Sequence, residues 1–121
     1  MKLEVVPIGV SDVDRAKAFY SEKFGFHADS DQPLGDMRYV QLTPPGSACS
    51  ISFGTGVTET KPGEIDGLLL VVTDIQVVYK ELSSRGVDIS EPKTEPWSAI
   101  HSYLSDPDGN RWTIQQKPDR P

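Results

Sequence analysis

The stretch SDPDGNRWTIQQ (105–116) carries the clearest fold signal in the chain. Its first half contains two aspartates, a proline and a glycine, a composition typical of a tight turn. Beyond the turn, Trp112 and Ile114 alternate with polar residues, which is typical of a β-strand with one buried face. The stretch therefore predicts the turn and the second strand of a β-hairpin.

A second hairpin is predicted in the first half of the chain. The runs MRYVQLT (37–43) and ACSISFG (48–54) both alternate, and the turn PPGS (44–47) joins them. Each hairpin is preceded by an apolar run, an amphipathic helix and a short strand, and the apolar runs are VVPIGV (5–10) and LLLVV (68–72). The order of elements is therefore β-α-β-β-β in both halves.

The two halves share their landmarks at a constant spacing. Helix N-caps are predicted at Ser11 and Thr73, and the hairpins align Leu42 with Leu104, so both pairs are 62 residues apart. Two amphipathic helices can arise without duplication, but the matched caps and hairpins favour an internal repeat of one supersecondary unit.

Length and charge limit the kind of protein. A chain of 121 residues supports one domain, 1–121, which we divide into module one (about 1–54), a polar linker (about 55–64) and module two (about 65–117). The formal net charge is −6, and the basic residues form no run or stripe. A nucleic-acid partner is therefore not expected.

Cysteine content and the first residues bear on the compartment. Cys49 is the single cysteine, which excludes an internal disulfide and a cysteine-based zinc cluster. The first apolar run is short and contains a proline, unlike a secretory signal or a membrane-spanning helix. We expect a cytoplasmic protein that has no membrane partner.

Three segments together carry a resemblance to a known family. They are VSDVDRAKAFYSEKFGF (10–26), LLLVVTDIQ (68–76) and LSDPDGNRWTIQ (104–115), and in this order they resemble the vicinal oxygen chelate superfamily of glyoxalase I, bleomycin-resistance proteins and extradiol dioxygenases. The resemblance covers essentially the whole chain. It implies an α+β fold in which two tandem βαβββ modules form a curved mixed β-sheet cavity with helices on the outer face, and a homodimer.

The resemblance also implies where a metal ion would be held. In metal-using members each module supplies a His or Gln from its first strand and a Glu from its fourth strand. The corresponding positions here are Val5 and Ser50 in module one, and Gly67 and Thr113 in module two. These side chains are poor or impossible ligands for a transition metal. We therefore expect no divalent metal and no other cofactor.

Strand alternation predicts which residues face the cavity instead. Trp112, Ile114 and the hairpin leucines are expected on the helix side. The other faces then form a polar and aromatic wall suited to a planar or polar organic ligand, although a sheet face that is simply hydrated is the alternative. The predicted ligand-binding residues are Tyr39, Gln41, Ser50 and Ser52 in module one, and His101, Tyr103, Arg111, Thr113 and Gln115 in module two.

Catalysis would depend on one histidine. His101 is the predicted cavity residue of the type best suited to general acid–base catalysis, so the candidate catalytic group is His101 with Tyr103 or Tyr39 as hydrogen-bond donor, and a purely structural histidine is the alternative. Two functions stay open. One is metal-independent sequestration or transport of a small aromatic or polar molecule, of the bleomycin-resistance type, and the other is a glyoxalase-like lyase, isomerase or hydrolase, metal-free or with a non-standard metal site.

Overall fold

The computed structural model describes residues 1–118 and divides into two compact units. Unit one contains residues 1–65 and 106–110, and unit two contains residues 66–105 and those from 111 onward. The turn 106–110, predicted as part of module two, groups with unit one because its side chains hydrogen-bond there, as described below. Within residues 1–118, no helix combines the length and the hydropathy needed to cross a membrane.

Unit one is a four-stranded mixed sheet with one helical segment. Strand β1 is parallel to β4, and the other neighbours are antiparallel, in the order β1-β4-β3-β2. The elements are β1 (Val5–Pro7), α1 (Val13–Ala18), a π-helical turn (Phe19–Lys23), β2 (His27–Leu34), β3 (Met37–Thr43) and β4 (Ser50–Gly54).

Unit two repeats this topology. Strand β5 is parallel to β8, and the order β5-β8-β7-β6 is the same order of first, fourth, third and second strands. The elements are β5 (Leu68–Val71), α2 (Ile75–Ser84), β6 (Lys93–Thr94), β7 (Ile100–Ser105) and β8 (Arg111–Gln116). The predicted α+β fold with two βαβββ modules is therefore confirmed.

The helix N-caps were predicted one residue too early. Asp12, not Ser11, caps α1 by accepting a hydrogen bond from the Arg15 amide at 3.1 Å. Asp74, not Thr73, caps α2. Both predicted residues and both observed residues are good N-caps, so composition alone does not choose between neighbours. The spacing of 62 between the caps is unchanged.

The helix-facing side of each sheet is mainly apolar, as the alternation predicts, although in unit two it also includes the buried Ser102. In unit one, Val40, Leu42 and Phe53 are fully buried beside a cluster of rings from the first helical segment and the residues after it, Phe19, Tyr20, Phe24 and Phe26. In unit two the same side of the sheet contributes Leu104, Trp112 and Ile114, and α2 contributes Ile75 and Leu82. Burial of these side chains is the main stabilising contribution in each unit.

A cluster of ion pairs fixes α1 to the edge of the unit-one sheet. The Asp31 carboxylate accepts from Arg38 at 2.8 and 2.9 Å and from Lys17 at 2.8 Å, and Arg38 also contacts Asp14. The hydrogen bond from Arg38, followed by that from Lys17, holds the pKa of Asp31 well below its ordinary value.

This cluster predicts a specific dependence of stability on pH. Since the folded pKa of Asp31 lies below its unfolded value, the stabilisation is complete above about pH 4 and is lost as the pH falls further. The difference in free energy of unfolding between the wild type and Arg38→Gln should be largest at neutral pH and shrink below about pH 4. Urea denaturation across pH 2–7 measures it. Lys80→Gln, which removes one positive charge from an exposed position of α2, is the control and should show no such trend; an equal trend in both variants would contradict the prediction.

Candidate functional site

The face of the unit-two sheet that is turned away from α2 is polar and partly aromatic. Its residues lie in three rows across the strands, because residues paired in a sheet point to the same side. The middle row is Ser90, Tyr103, Thr113 and Leu69; the row on one side is Asp88, Ser105 and Arg111; the row on the other side is Lys93, His101, Gln115 and Val71.

Three predicted residues form a hydrogen-bonded chain on this face. His101 is buried, with Nε2 2.8 Å from Gln115 Oε1 and Nδ1 3.2 Å from the Tyr103 hydroxyl. The Tyr103 hydroxyl in turn donates to Glu95 Oε1 at 3.1 Å. Burial, followed by the hydrogen bond to Glu95, raises the pKa of Tyr103, so its hydroxyl keeps its proton at neutral pH.

The engagement of both His101 nitrogens bears on the predicted catalytic role. A general base needs an accessible lone pair within hydrogen-bond reach of the proton that it removes. Gln115 Oε1 is an acceptor, so Nε2 carries the proton that is donated to it and is not a base, and the Tyr103 hydroxyl lies 3.2 Å from Nδ1. The arrangement favours a histidine that orients Tyr103 and Gln115 over one that abstracts a proton from a ligand.

Two residues that contact this hydrogen-bonded group were not predicted from the sequence. Glu95 contacts Tyr103, and the Trp97 ring meets the His101 ring edge-on with centroids 5.0 Å apart. Both residues lie in the turn between β6 and β7, which has no periodic pattern. The signal that was available is the tryptophan itself, since a large aromatic residue in a polar turn is unusual.

A cavity of about 560 Å³ opens on the same face. It is lined by the predicted residues Tyr103, Arg111 and Thr113 and by six residues that were not predicted to face a cavity: Asp66, Asp88, Ser90, Leu104, Ser105 and Trp112. The volume is within the range of small-molecule sites, and the lining combines an aromatic ring with hydroxyl and charged groups. The cavity can therefore hold an organic molecule of moderate size.

The predicted unit-one residues also share one face of their own sheet. The Tyr39 hydroxyl donates to Gln41 Oε1 at 2.8 Å, and both residues are half-buried. Ser50 and Ser52 are buried, and the Ser50 hydroxyl is 2.6 Å from that of Thr43.

The positions implied for a metal ion do not fit a metal. Among residues 1–118, no group of three or more His, Cys, Asp or Glu side chains is placed to hold an ion. Val5, Gly67 and Thr113 supply no imidazole, carboxylate or thiolate, and the module-one position needs a correction. The Leu42–Ile51 pair encloses eight residues, 43–50, whereas the Leu104–Trp112 pair encloses seven, 105–111. Ser52, not Ser50, therefore corresponds to Thr113, and a serine hydroxyl is an equally poor ligand.

Comparison with known proteins agrees with this architecture. The profile of the glyoxalase/bleomycin resistance protein/dioxygenase superfamily matches residues 2–114. The chain belongs to this superfamily. Membership confirms the resemblance seen in the three sequence segments.

One of the similar solved structures is described as a binding protein. TnmS3, an antibiotic binding protein from Streptomyces sp. CB03234, is 34% identical, with a TM-score of 0.88 over 98% of this chain and 97% of its own. A glyoxalase/bleomycin resistance protein from the same organism is 35% identical, with a TM-score of 0.83 over 95% of this chain and 100% of its own. The uncharacterized protein YurT of Bacillus subtilis is 28% identical over 97% of this chain and 100% of its length.

Proposed function

We propose that this superfamily member binds a small aromatic or polar organic molecule without a metal ion, and acts by sequestering or carrying it. The observation that carries the proposal is the cavity on the polar face of unit two, with Tyr103 exposed over 48% of its surface and Thr113 and Arg111 beside it. The similarity to an antibiotic-binding protein over nearly the full length of both chains supports a ligand of this kind.

The side chains support binding more than chemistry. Tyr103 offers a ring face, Thr113 and Ser90 offer hydroxyls, and Arg111 offers a guanidinium. These groups orient a ligand by stacking and hydrogen bonding. The residues at the family's metal positions cannot activate a water molecule or polarise a carbonyl, so metal independence is part of the proposal.

We also propose that the protein acts in the cytoplasm and as a homodimer, as expected from the sequence and the resemblance. Light scattering of the purified chain tests the assembly: a mass of twice 13.3 kDa supports the dimer, and a mass of 13.3 kDa contradicts it.

Ligand binding should appear as thermal stabilisation that survives metal removal. In a screen of aromatic metabolites and antibiotics, a ligand at about 100 times its Kd should raise the melting temperature by about 10 °C, because it binds only the native state. Tyr103→Ala should abolish the shift, whereas His27→Ala, at an exposed position of unit one, should preserve it.

Two results would contradict the proposal. One is a thermal shift that disappears after chelation and returns with one equivalent of a transition metal, measured together with elemental analysis. The other is chemical conversion of the bound compound that His101→Ala abolishes while binding is retained, which would establish the glyoxalase-like enzyme instead.

A further inference from the structure

Some of the charged side chains that line the unit-two cavity form an ion pair and others do not. Arg111 Nη1 lies 3.9 Å from Asp66 Oδ2 with both side chains 70% exposed, so the two carboxylates and the one guanidinium of the lining leave it with a net charge of −1. Asp88, on the same lining, has no ion-pair partner in the part of the chain that the structure describes. An exposed carboxylate in a cavity attracts a cationic group of a ligand and repels an anionic one.

The opposite end of the same face carries an exposed aromatic side chain. Trp97 is 57% exposed although its ring contacts His101. The turn that holds it is closed by hydrogen bonds from the Glu95 amide to the Ala99 carbonyl at 2.8 Å and from the Ser98 amide to the Glu95 carbonyl at 2.9 Å. Ser98 has a φ of 74°, a conformation that residues other than glycine rarely adopt and that often accompanies functional sites. The turn therefore fixes Trp97 without burying it.

The distance between these two features sets the size of a ligand that reaches both. Asp88 is in the row of Ser105, and Trp97 contacts His101, four residues earlier on β7. At about 3.3 Å per residue, the two rows are about 13 Å apart. Tyr103 lies midway between them with its ring exposed. A ligand that contacts both features must therefore be elongated.

We propose that the ligand of this face is a flat, elongated aromatic molecule that carries a protonated amine. Its rings lie against Tyr103 and Trp97, and its amine lies at the Asp88 carboxylate. A cationic ring system also gains from the electron-rich faces of tryptophan and tyrosine. This inference rests on the proposed binding function and specifies the chemical class of its ligand.

The test compares two planar three-ring probes of opposite charge, proflavine as the cation and 9-anthracenecarboxylate as the anion. Titration followed by fluorescence anisotropy at low salt should show proflavine binding at least tenfold more tightly. Asp88→Asn should weaken proflavine about two- to fivefold without weakening the anion, since it removes one exposed charge-assisted contact. Trp97→Ala should weaken both probes about tenfold, because stacking does not depend on the sign of the charge.

The matched control is Asp36→Asn, an exposed aspartate in the turn between β2 and β3 of unit one, which changes the net charge equally. An equal loss of proflavine affinity in Asp88→Asn and Asp36→Asn overturns the inference, as does equal binding of the two probes. In either case, if the Tyr103→Ala variant binds neither probe, the proposed binding function is still supported. Failure of both probes to bind overturns the ligand class, and the thermal-shift screen then decides the proposed function separately.

Discussion

Asp106→Ala is expected to lower the free energy of unfolding by about 3–4 kcal/mol. The Asp106 carboxylate is buried in unit one and accepts four hydrogen bonds. Oδ2 accepts from the Tyr20 hydroxyl at 2.7 Å and from Asn110 Nδ2 at 2.8 Å. Oδ1 accepts from the backbone amides of Asn110 at 2.9 Å and Asp108 at 3.0 Å. Alanine removes all four acceptor contacts at once in a site where Asp106 is only 5% exposed.

A series of variants separates this network from a simple loss of volume. Asp106→Asn keeps the shape but turns one acceptor into a donor facing the Asn110 side chain, so it should lose about half as much as alanine. Tyr20→Phe removes one hydrogen bond and should lose about 1 kcal/mol. Urea denaturation measures all three, with Asp36→Ala on the surface as the control. A loss below about 1 kcal/mol in Asp106→Ala would show that the network does not stabilise unit one.

Gly9→Ala is expected to destabilise the chain by about 3 kcal/mol, for a steric reason. A Cβ atom at Gly9 would overlap the backbone oxygen of Thr60 and lie 2.6 Å from that of Lys61. The chain has little freedom to move away. The Gly9 carbonyl accepts from Asn110 Nδ2 at 2.8 Å, and the amide of the preceding residue, Ile8, donates to Ser52 at 2.9 Å.

Gly46→Ala is the appropriate comparison. Gly46 has a φ of 77°, so alanine is strained there, but a Cβ atom meets nothing within 4 Å. Its cost should be about 1 kcal/mol, from the backbone conformation alone. Thermal and urea denaturation of both variants give the ranking. A smaller loss in Gly9→Ala than in Gly46→Ala would mean that the segment around Thr60 moves away freely.

The faces of the strands could be predicted from the sequence because side chains alternate strictly along a strand. The sides assigned to Trp112 and Thr113, and to Leu42 and Gln41, agree with the structure for this reason. The position of Asp106 in a turn was also predicted, from the composition of the segment around it. The burial of Asp106 was not predicted, because its hydrogen-bond partner Tyr20 is 86 residues away in the sequence and no local pattern indicates such a contact.

The candidate site was predicted less completely than the fold. His101, Tyr103 and Gln115 were grouped correctly because they lie on paired strands. Glu95 and Trp97 come from an irregular turn whose backbone path depends on the positive φ of Ser98, and such a path has no periodic signature in the sequence. The choice of Ser50 over Ser52 failed because a hairpin loop can gain one residue without changing the strands beside it.

The π-helical turn Phe19–Lys23 shows a similar one-residue insertion inside a helix. The length of each helical segment can be counted from its N-cap to the next glycine of positive φ. The first runs from Asp12 to Gly25, and the second runs from Asp74 to Gly86. The first path is one residue longer, and a π-helical turn accommodates one extra residue per turn. An alignment of the two halves therefore needs a gap within this helix, and a repeat search that allows no gaps would underestimate how similar the halves are.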